Sequence, residues 1–98
     1  MKYVQLVEYS TSRPDEVDRL MSEWISATRG KRTATRSMTG MDRDESNAFV
    51  EIVEFPSYED AMRNSELTET GAFADKIAKL CDSGPEFRNL DVVREDTL

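Results

Sequence analysis

Residues 48–55 read Ala-Phe-Val-Glu-Ile-Val-Glu-Phe and run directly into Pro56-Ser57. β-Branched and aromatic side chains dominate this stretch and a turn-like segment precedes it, so the sequence predicts a strand of about eight residues. Alternation divides the strand into an odd-numbered face beginning at Phe49 and an even-numbered face beginning at Ala48. Each face carries at least three apolar side chains, whereas a sheet with one side in water alternates more cleanly. We therefore expect a central strand, covered by helices on one side and by something else on the other.

Composition limits the classes of partner. The chain has 98 residues, which is the length of one domain, and it carries a formal net charge of −7. A nucleic-acid groove or a surface for anionic membranes needs the opposite sign, so we expect neither partner. No apolar run approaches the ~20 residues that span a bilayer.

Histidine is absent and Cys81 is the only cysteine. Without histidine the chain lacks the commonest general base and the commonest metal ligand, so we expect no metal site. A single cysteine excludes an intramolecular disulfide and favours a reducing compartment. We therefore expect a cytoplasmic protein in which Cys81, on an apolar helical face, is inert.

Three more strands and two helices are predicted around the central strand. We expect strands at 2–9, 31–41 and 86–94, a helix at 14–28, and a second helix that starts at 58–64, breaks, and continues to Gly84-Pro85. Ser10-Thr11-Ser12 provides candidate N-caps for the first helix, and Ser57 begins a capping box for the second. Residues 42–47 form a hydrophilic hairpin connection.

The resulting order, β-α-β-β-α-β, predicts a ferredoxin-like α+β fold with a four-stranded antiparallel sheet. Right-handed crossovers place both helices on one face of that sheet. The odd-numbered and even-numbered apolar sets of the strands cannot both lie under the helices. We expect the uncovered set to pack against a second copy of the chain, which gives a homodimer with the sheets back to back.

Strand order, the passage Val-Glu-Ile-Val-Glu-Phe-Pro-Ser-Tyr-Glu-Asp-Ala-Met at 50–62, and a broken second helix from Tyr58 to Asp82 carry a family resemblance. The chain resembles the dimeric α/β-barrel superfamily, and within it the antibiotic-biosynthesis-monooxygenase type. That resemblance implies a small-molecule pocket between helices and sheet in each protomer, and oxygenation without a bound cofactor. Other members are haem-degrading enzymes, isomerases and cyclases. The quinone-type oxygenases typically carry Asn on the third strand and Trp four residues later, where this chain has Glu51 and Phe55.

Three polar residues are candidates for catalysis. A buried Glu51 could act as a base or hold a substrate hydroxyl, or it could form a salt bridge with Arg36 or Arg88. Tyr9 could donate to a ligand carbonyl or pack at the dimer interface. Arg36 could bind a carboxylate or enolate, or pair with an acid at the surface.

Three further residues are candidates for the walls of a ligand pocket. Trp24 and Phe55 would shape the cavity, although a Trp on such a helical stripe also fits the core. Asn64 stands where the second helix breaks, at the expected rim of the pocket, and Asn is also an ordinary residue at a helix end.

These residues lead to two hypotheses of different kinds. The first is a small-molecule-binding protein that acts as a cofactor-independent monooxygenase on an aromatic or polyketide-like substrate, with an isomerase or cyclase of the same fold as an alternative. The second is a non-enzymatic dimeric interaction protein whose cavity is closed by side chains. A ligand site needs a pocket of about 300 Å³ or more with converging polar groups.

Overall fold

A computed structural model describes the whole chain, Met1–Leu98. The element bounds are β1 (Tyr3–Ser10), α1 (Pro14–Ala27), β2 (Arg36–Met41), β3 (Ala48–Phe55), α2 (Tyr58–Ser65), α3 (Thr68–Leu80) and β4 (Ser83–Asp91). The ferredoxin-like α+β fold expected from the sequence is confirmed. Its predicted second helix is the pair α2 and α3, which are separated by a break.

The four strands form one antiparallel sheet in the order β2-β3-β1-β4. β3 has the predicted bounds and lies inside the sheet, between β2 and β1. In its register Leu6 of β1 and Met38 of β2 both lie opposite Ile52. The prediction of a central strand is therefore confirmed, and β2 is an edge strand as its polar sequence indicated.

Odd-numbered residues of the sheet face the helices. Val7 and Tyr9 of β1 form the main core cluster with Val17 of α1 and Ile77 of α3. A second cluster joins Tyr3, Phe55 and Ala61 under α2. Because side chains alternate along a strand, the even-numbered residues form the helix-free face. Its apolar members are Val4, Leu6, Met38, Ala48, Val50, Ile52 and Leu90.

The helix ends differ in part from the prediction. Ser57 caps α2, where its side chain accepts a hydrogen bond from the Asp60 N–H. α1 has Arg13 at its N-cap and no side-chain cap. Thr11, one of the predicted caps, accepts instead from the Arg13 N–H and donates to the Leu80 carbonyl, so it ties the start of α1 to the end of α3.

Two strand predictions were wrong in their bounds. β2 begins at Arg36 and not at 31. Thr33 bonds to α2 and not to β3: its N–H donates to the Asn64 side chain and its hydroxyl to the Asp60 carbonyl. β4 begins at Ser83, so Gly84-Pro85 lies inside the strand and does not end the helix. None of the three helices is long and apolar enough to cross a bilayer.

Candidate functional site

A cavity of about 100 Å³ lies between the sheet and the helices α1 and α3. The sheet provides Val7, Glu51 and Phe55, and the helices provide Trp24 and Phe73. Most of the remaining lining is apolar. Glu51 is therefore a carboxylate in a mainly hydrocarbon environment.

Glu51 is 3% exposed and is held by two neutral donors. The Tyr9 hydroxyl donates to its Oε1 over 2.7 Å, and the Thr39 hydroxyl donates to its Oε2 over 2.7 Å. Both oxygens are thus fixed by neighbouring strands, and no Lys or Arg lies within ion-pair distance. The alternative in which Glu51 pairs with Arg36 or Arg88 is wrong, because those two arginines pair with Glu54 and Glu8.

The Tyr9 phenol keeps its proton at ordinary pH. Burial raises the pKa of Tyr9 far above its usual range, and the hydrogen bond and charge of Glu51 raise it further. Asp18 makes a smaller contribution in the same direction. Tyr9 is therefore a donor to Glu51, and its ring stacks on Phe49 with the centroids 5.8 Å apart.

A second cavity of about 220 Å³ shares the residues Glu51 and Met21 with the first. Tyr9, Asp18 and Thr39 are among its other lining residues. Neither cavity alone reaches the volume of the smaller sites that bind small molecules, about 300 Å³. Glu51 belongs to the wall of both cavities.

Trp24 forms one wall of the first cavity and is buried. Its indole Nε1–H donates to the Thr70 hydroxyl over 3.0 Å, which joins α1 to α3 beside the cavity. Phe73 packs against the indole at 6.2 Å between centroids, and the Arg32 guanidinium lies 6.0 Å from the indole centroid. Trp24 is thus both a core residue and a cavity wall.

Phe55 and Asn64, the other two predicted ligand-binding residues, also line the first cavity. Asn64 is 5% exposed, and its Oδ1 accepts from the Thr33 N–H over 3.3 Å. Its amide therefore fixes the segment before β2 at the α2–α3 break while one edge of the side chain faces the cavity.

Arg36 is not brought to this site. It lies opposite Glu54 in the β2–β3 register, on the helix-free face, and its Nε is 3.7 Å from the Glu54 carboxylate. This is the surface pairing considered as the alternative for Arg36. Cys81 is half-buried at the end of α3, where burial raises the pKa of its thiol.

Thr39 is a site residue that the sequence patterns did not single out. Its place on a polar edge strand gives no sign of a site, yet it lies directly opposite Glu51. The length of the connection at 42–47 could have predicted Thr39 as a site residue. That length fixes the hairpin register, and the register makes Thr39 and Glu51 a cross-strand pair on one face.

A larger hollow, about 570 Å³, lies over β1 and β4 beside α2. Its lining includes the exposed residues Tyr58, Asn89 and Asp91, so it is a groove on the surface. It lacks a buried charged group, which makes the Glu51 cavities the better candidate site.

No protein-family model and no curated protein matches this chain. Solved structures do match it. SnoaB, a cofactor-independent oxygenase from Streptomyces nogalater, has a TM-score of 0.79 at 14% identity, with 96% of this chain and 95% of SnoaB covered. Rv0793 from Mycobacterium tuberculosis has a TM-score of 0.79 at 13% identity, with 99% and 100% covered. A third structure, an antibiotic biosynthesis monooxygenase, has a TM-score of 0.74 at 18% identity, with 96% and 100% covered.

The chain has the fold of antibiotic biosynthesis monooxygenases. Identities this low establish the fold and leave the reaction open, since one fold supports many activities. In this monooxygenase-type fold the cavity lies between helices and sheet, where the sequence resemblance led us to expect it. Glu51 and Phe55 both line it.

Proposed function

We propose that this protein binds a small aromatic or polyketide-like molecule beside Glu51 and acts on it as a monooxygenase without a bound cofactor. One observation carries the proposal: Glu51 is 3% exposed, lines both cavities and has no cationic partner. Burying a carboxylate in an apolar cavity without a cationic partner costs stability, and carboxylates in such surroundings are concentrated at functional sites.

The proposed chemistry uses Glu51 as the general base. It would remove a proton from a substrate hydroxyl or activated carbon, and the resulting anion would give electrons to dioxygen. One oxygen atom would enter the substrate as a carbonyl, and the other would leave as water with the two hydrogens and two electrons that the substrate loses. Tyr9 and Thr39 would hold the carboxylate in position, and Trp24 and Phe55 would orient the ring of the substrate. The description of SnoaB as a cofactor-independent oxygenase supports this reaction class by analogy.

A second candidate function is ligand binding without turnover. The first cavity alone, at about 100 Å³, is smaller than most small-molecule sites, which favours a tightly closed pocket. An isomerase or cyclase would use the same base, so the test has to separate oxygen consumption from binding.

We further propose that the protein works as a cytoplasmic homodimer formed through the helix-free face. Val50 and Ile52 of β3 and Leu6 of β1 form an apolar centre on that face. Opposite charges flank it, with Arg36 and Glu54 on one side. Burial of such a centre between two copies would supply stability that a single small domain lacks.

The test is a screen of hydroxyquinones and lactones by thermal shift, followed by measurements of dioxygen uptake with each compound that raises Tm. Trp24 is the only tryptophan, so its fluorescence reports occupation of the cavity directly. The Glu51→Gln variant should bind but lose dioxygen uptake. Glu54→Gln, which neutralises an acid on the other face of the same strand, is the matched control. Turnover that survives Glu51→Gln would remove Glu51 as the base, and binding with no uptake would favour the second candidate.

A further inference from the structure

Every buried or half-buried acid of this chain except Glu51 lies within ion-pair distance of a Lys or Arg. The pairs are Glu8–Arg88, Glu16–Arg13, Glu54–Lys2, Asp60–Arg63 and Glu69–Lys31. Glu51 is the most buried of these acids, and only neutral hydroxyls contact it.

The second cavity adds two more carboxylates to the same place. Asp15 and Asp18 of α1 line it together with Glu51, and neither aspartate takes part in an ion pair. No Lys or Arg lines either cavity. The negative charge at this site is therefore not balanced by the protein's own cations.

The walls beside these acids are suited to an organic cation. The second cavity contains the stacked rings of Tyr9 and Phe49, and aromatic faces attract ammonium groups. The adjoining first cavity is apolar and is bounded by Trp24 and Phe73. A ligand with its ring in the first cavity and its charged group in the second would lie against the wall that Glu51 forms. An ammonium group there would give this buried carboxylate the positive partner that it lacks.

We propose that the ligand is an aromatic ammonium ion, with its ring beside Trp24 and Phe73 and its positive charge among Asp15, Asp18 and Glu51. This inference rests on the proposed function and names the substrate class of that site. A ligand with a carboxylate is disfavoured, because its charge would lie beside three carboxylates of the same sign.

Three probes of similar size separate the charge of the ligand from its ring: 2-phenylethylamine, 2-phenylethanol and 3-phenylpropionate. Affinities are measured by calorimetry and by Trp24 fluorescence at low salt and at high salt. We expect the amine to bind at least tenfold more tightly than the alcohol and the carboxylate to bind most weakly. The advantage of the amine should shrink at high salt, because Asp15 and Asp18 are exposed.

The double variant Asp15→Asn, Asp18→Asn locates the effect. Amine affinity should fall at least threefold while alcohol affinity stays unchanged, which also shows that the cavity is intact. The control is Asp44→Asn, Asp75→Asn, which makes the same change in net charge at exposed positions outside both cavities. Its amine affinity should match that of the wild type.

Each outcome decides the question. Equal affinity for the amine and the alcohol overturns this inference and leaves the proposed function standing, since the cavity still binds an aromatic ring. An amine preference that survives the double variant overturns the assigned position of the charge. If none of the three probes binds, this inference fails, and the screen of hydroxyquinones and lactones decides the proposed function separately.

Discussion

The Tyr9 hydroxyl and the Glu51 carboxylate are joined across neighbouring strands by a hydrogen bond of 2.7 Å. Tyr9 lies opposite Phe49, and Glu51 is the next residue of β3 on the same face, so the two side chains are diagonal neighbours. The bond connects the main core cluster, to which Tyr9 belongs, with the buried acid of the candidate site. Stability and site geometry therefore depend on the same contact.

Tyr9→Phe should lower the free energy of unfolding by about 1.5–3 kcal/mol, the usual range for a hydrogen bond to a charged group. Urea unfolding at neutral pH measures the change. The control is Tyr3→Phe, because the Tyr3 ring is also buried and no hydrogen bond contributes to its raised pKa. Equal losses in the two variants would show that the bond to Glu51 has no special weight.

Alkaline pH should lower the free energy of unfolding of the wild type more than that of the Tyr9→Phe variant. Burial and Glu51 raise the pKa of Tyr9 in the folded state, so above about pH 10 the unfolded chain releases a proton that the folded protein keeps. The stability contributed by Tyr9 is complete below that pH and declines above it. The difference in unfolding free energy between the two proteins should narrow from about pH 8 to about pH 11. Parallel curves would contradict this linkage.

Two glycine-to-alanine substitutions should change the free energy of unfolding in opposite directions. Gly84 has φ of +84°, and a Cβ there would lie 2.7 Å from the Glu8 carbonyl oxygen, so Gly84→Ala should destabilise the fold by more than about 1 kcal/mol. Gly71 lies inside α3, and an alanine methyl there would meet no neighbouring atom within 4 Å, so Gly71→Ala should stabilise the fold by about 0.5–1 kcal/mol. Chemical denaturation of both variants measures the pair. A neutral Gly84→Ala would mean that β1 and β4 separate easily at this point.

Ile52→Asp tests the proposed dimer. Ile52 lies at the middle of the helix-free face, opposite Leu6 and Met38, so a charge there would have to be buried in the interface. We expect dimeric wild type and monomeric Ile52→Asp by sedimentation. Ile25→Asp, at an exposed position on α1, is the control and should remain dimeric. A monomeric wild type would remove the interface altogether.

Sequence patterns were most reliable where local chemistry and tertiary environment agree. β3 has its predicted bounds because its β-branched and aromatic residues fit a strand inside the sheet, with apolar side chains on both faces. The residues before β2 alternate like a strand, but Thr33 bonds to Asp60 and Asn64 on α2, and no local pattern encodes that partner. At Thr33, hydrogen bonds to α2 take the place of the backbone hydrogen bonds that a strand would make with β3.

The candidate site was predictable in its residues and less so in its partners. Glu51 stands out as an acid among apolar neighbours, and Trp24 as the only indole on an apolar stripe. The partner of Glu51 depended on the β2–β3 register, and so did the face of Arg36. A shift of one residue exchanges the two faces, which is why Thr39 was missed and Arg36 was placed with the catalytic candidates.

The alternation along β3 divides eight consecutive residues between a cavity face and an outer face. Glu51, Val53 and Phe55 contact the cavity, while their immediate neighbours Ile52 and Glu54 lie on the outer side of the sheet. If the proposed reaction and the proposed dimer both hold, adjoining codons of this strand would evolve under different constraints, one for chemistry and one for assembly. A lineage could change what it recognises and keep its quaternary architecture, or the reverse, by substitutions one position apart.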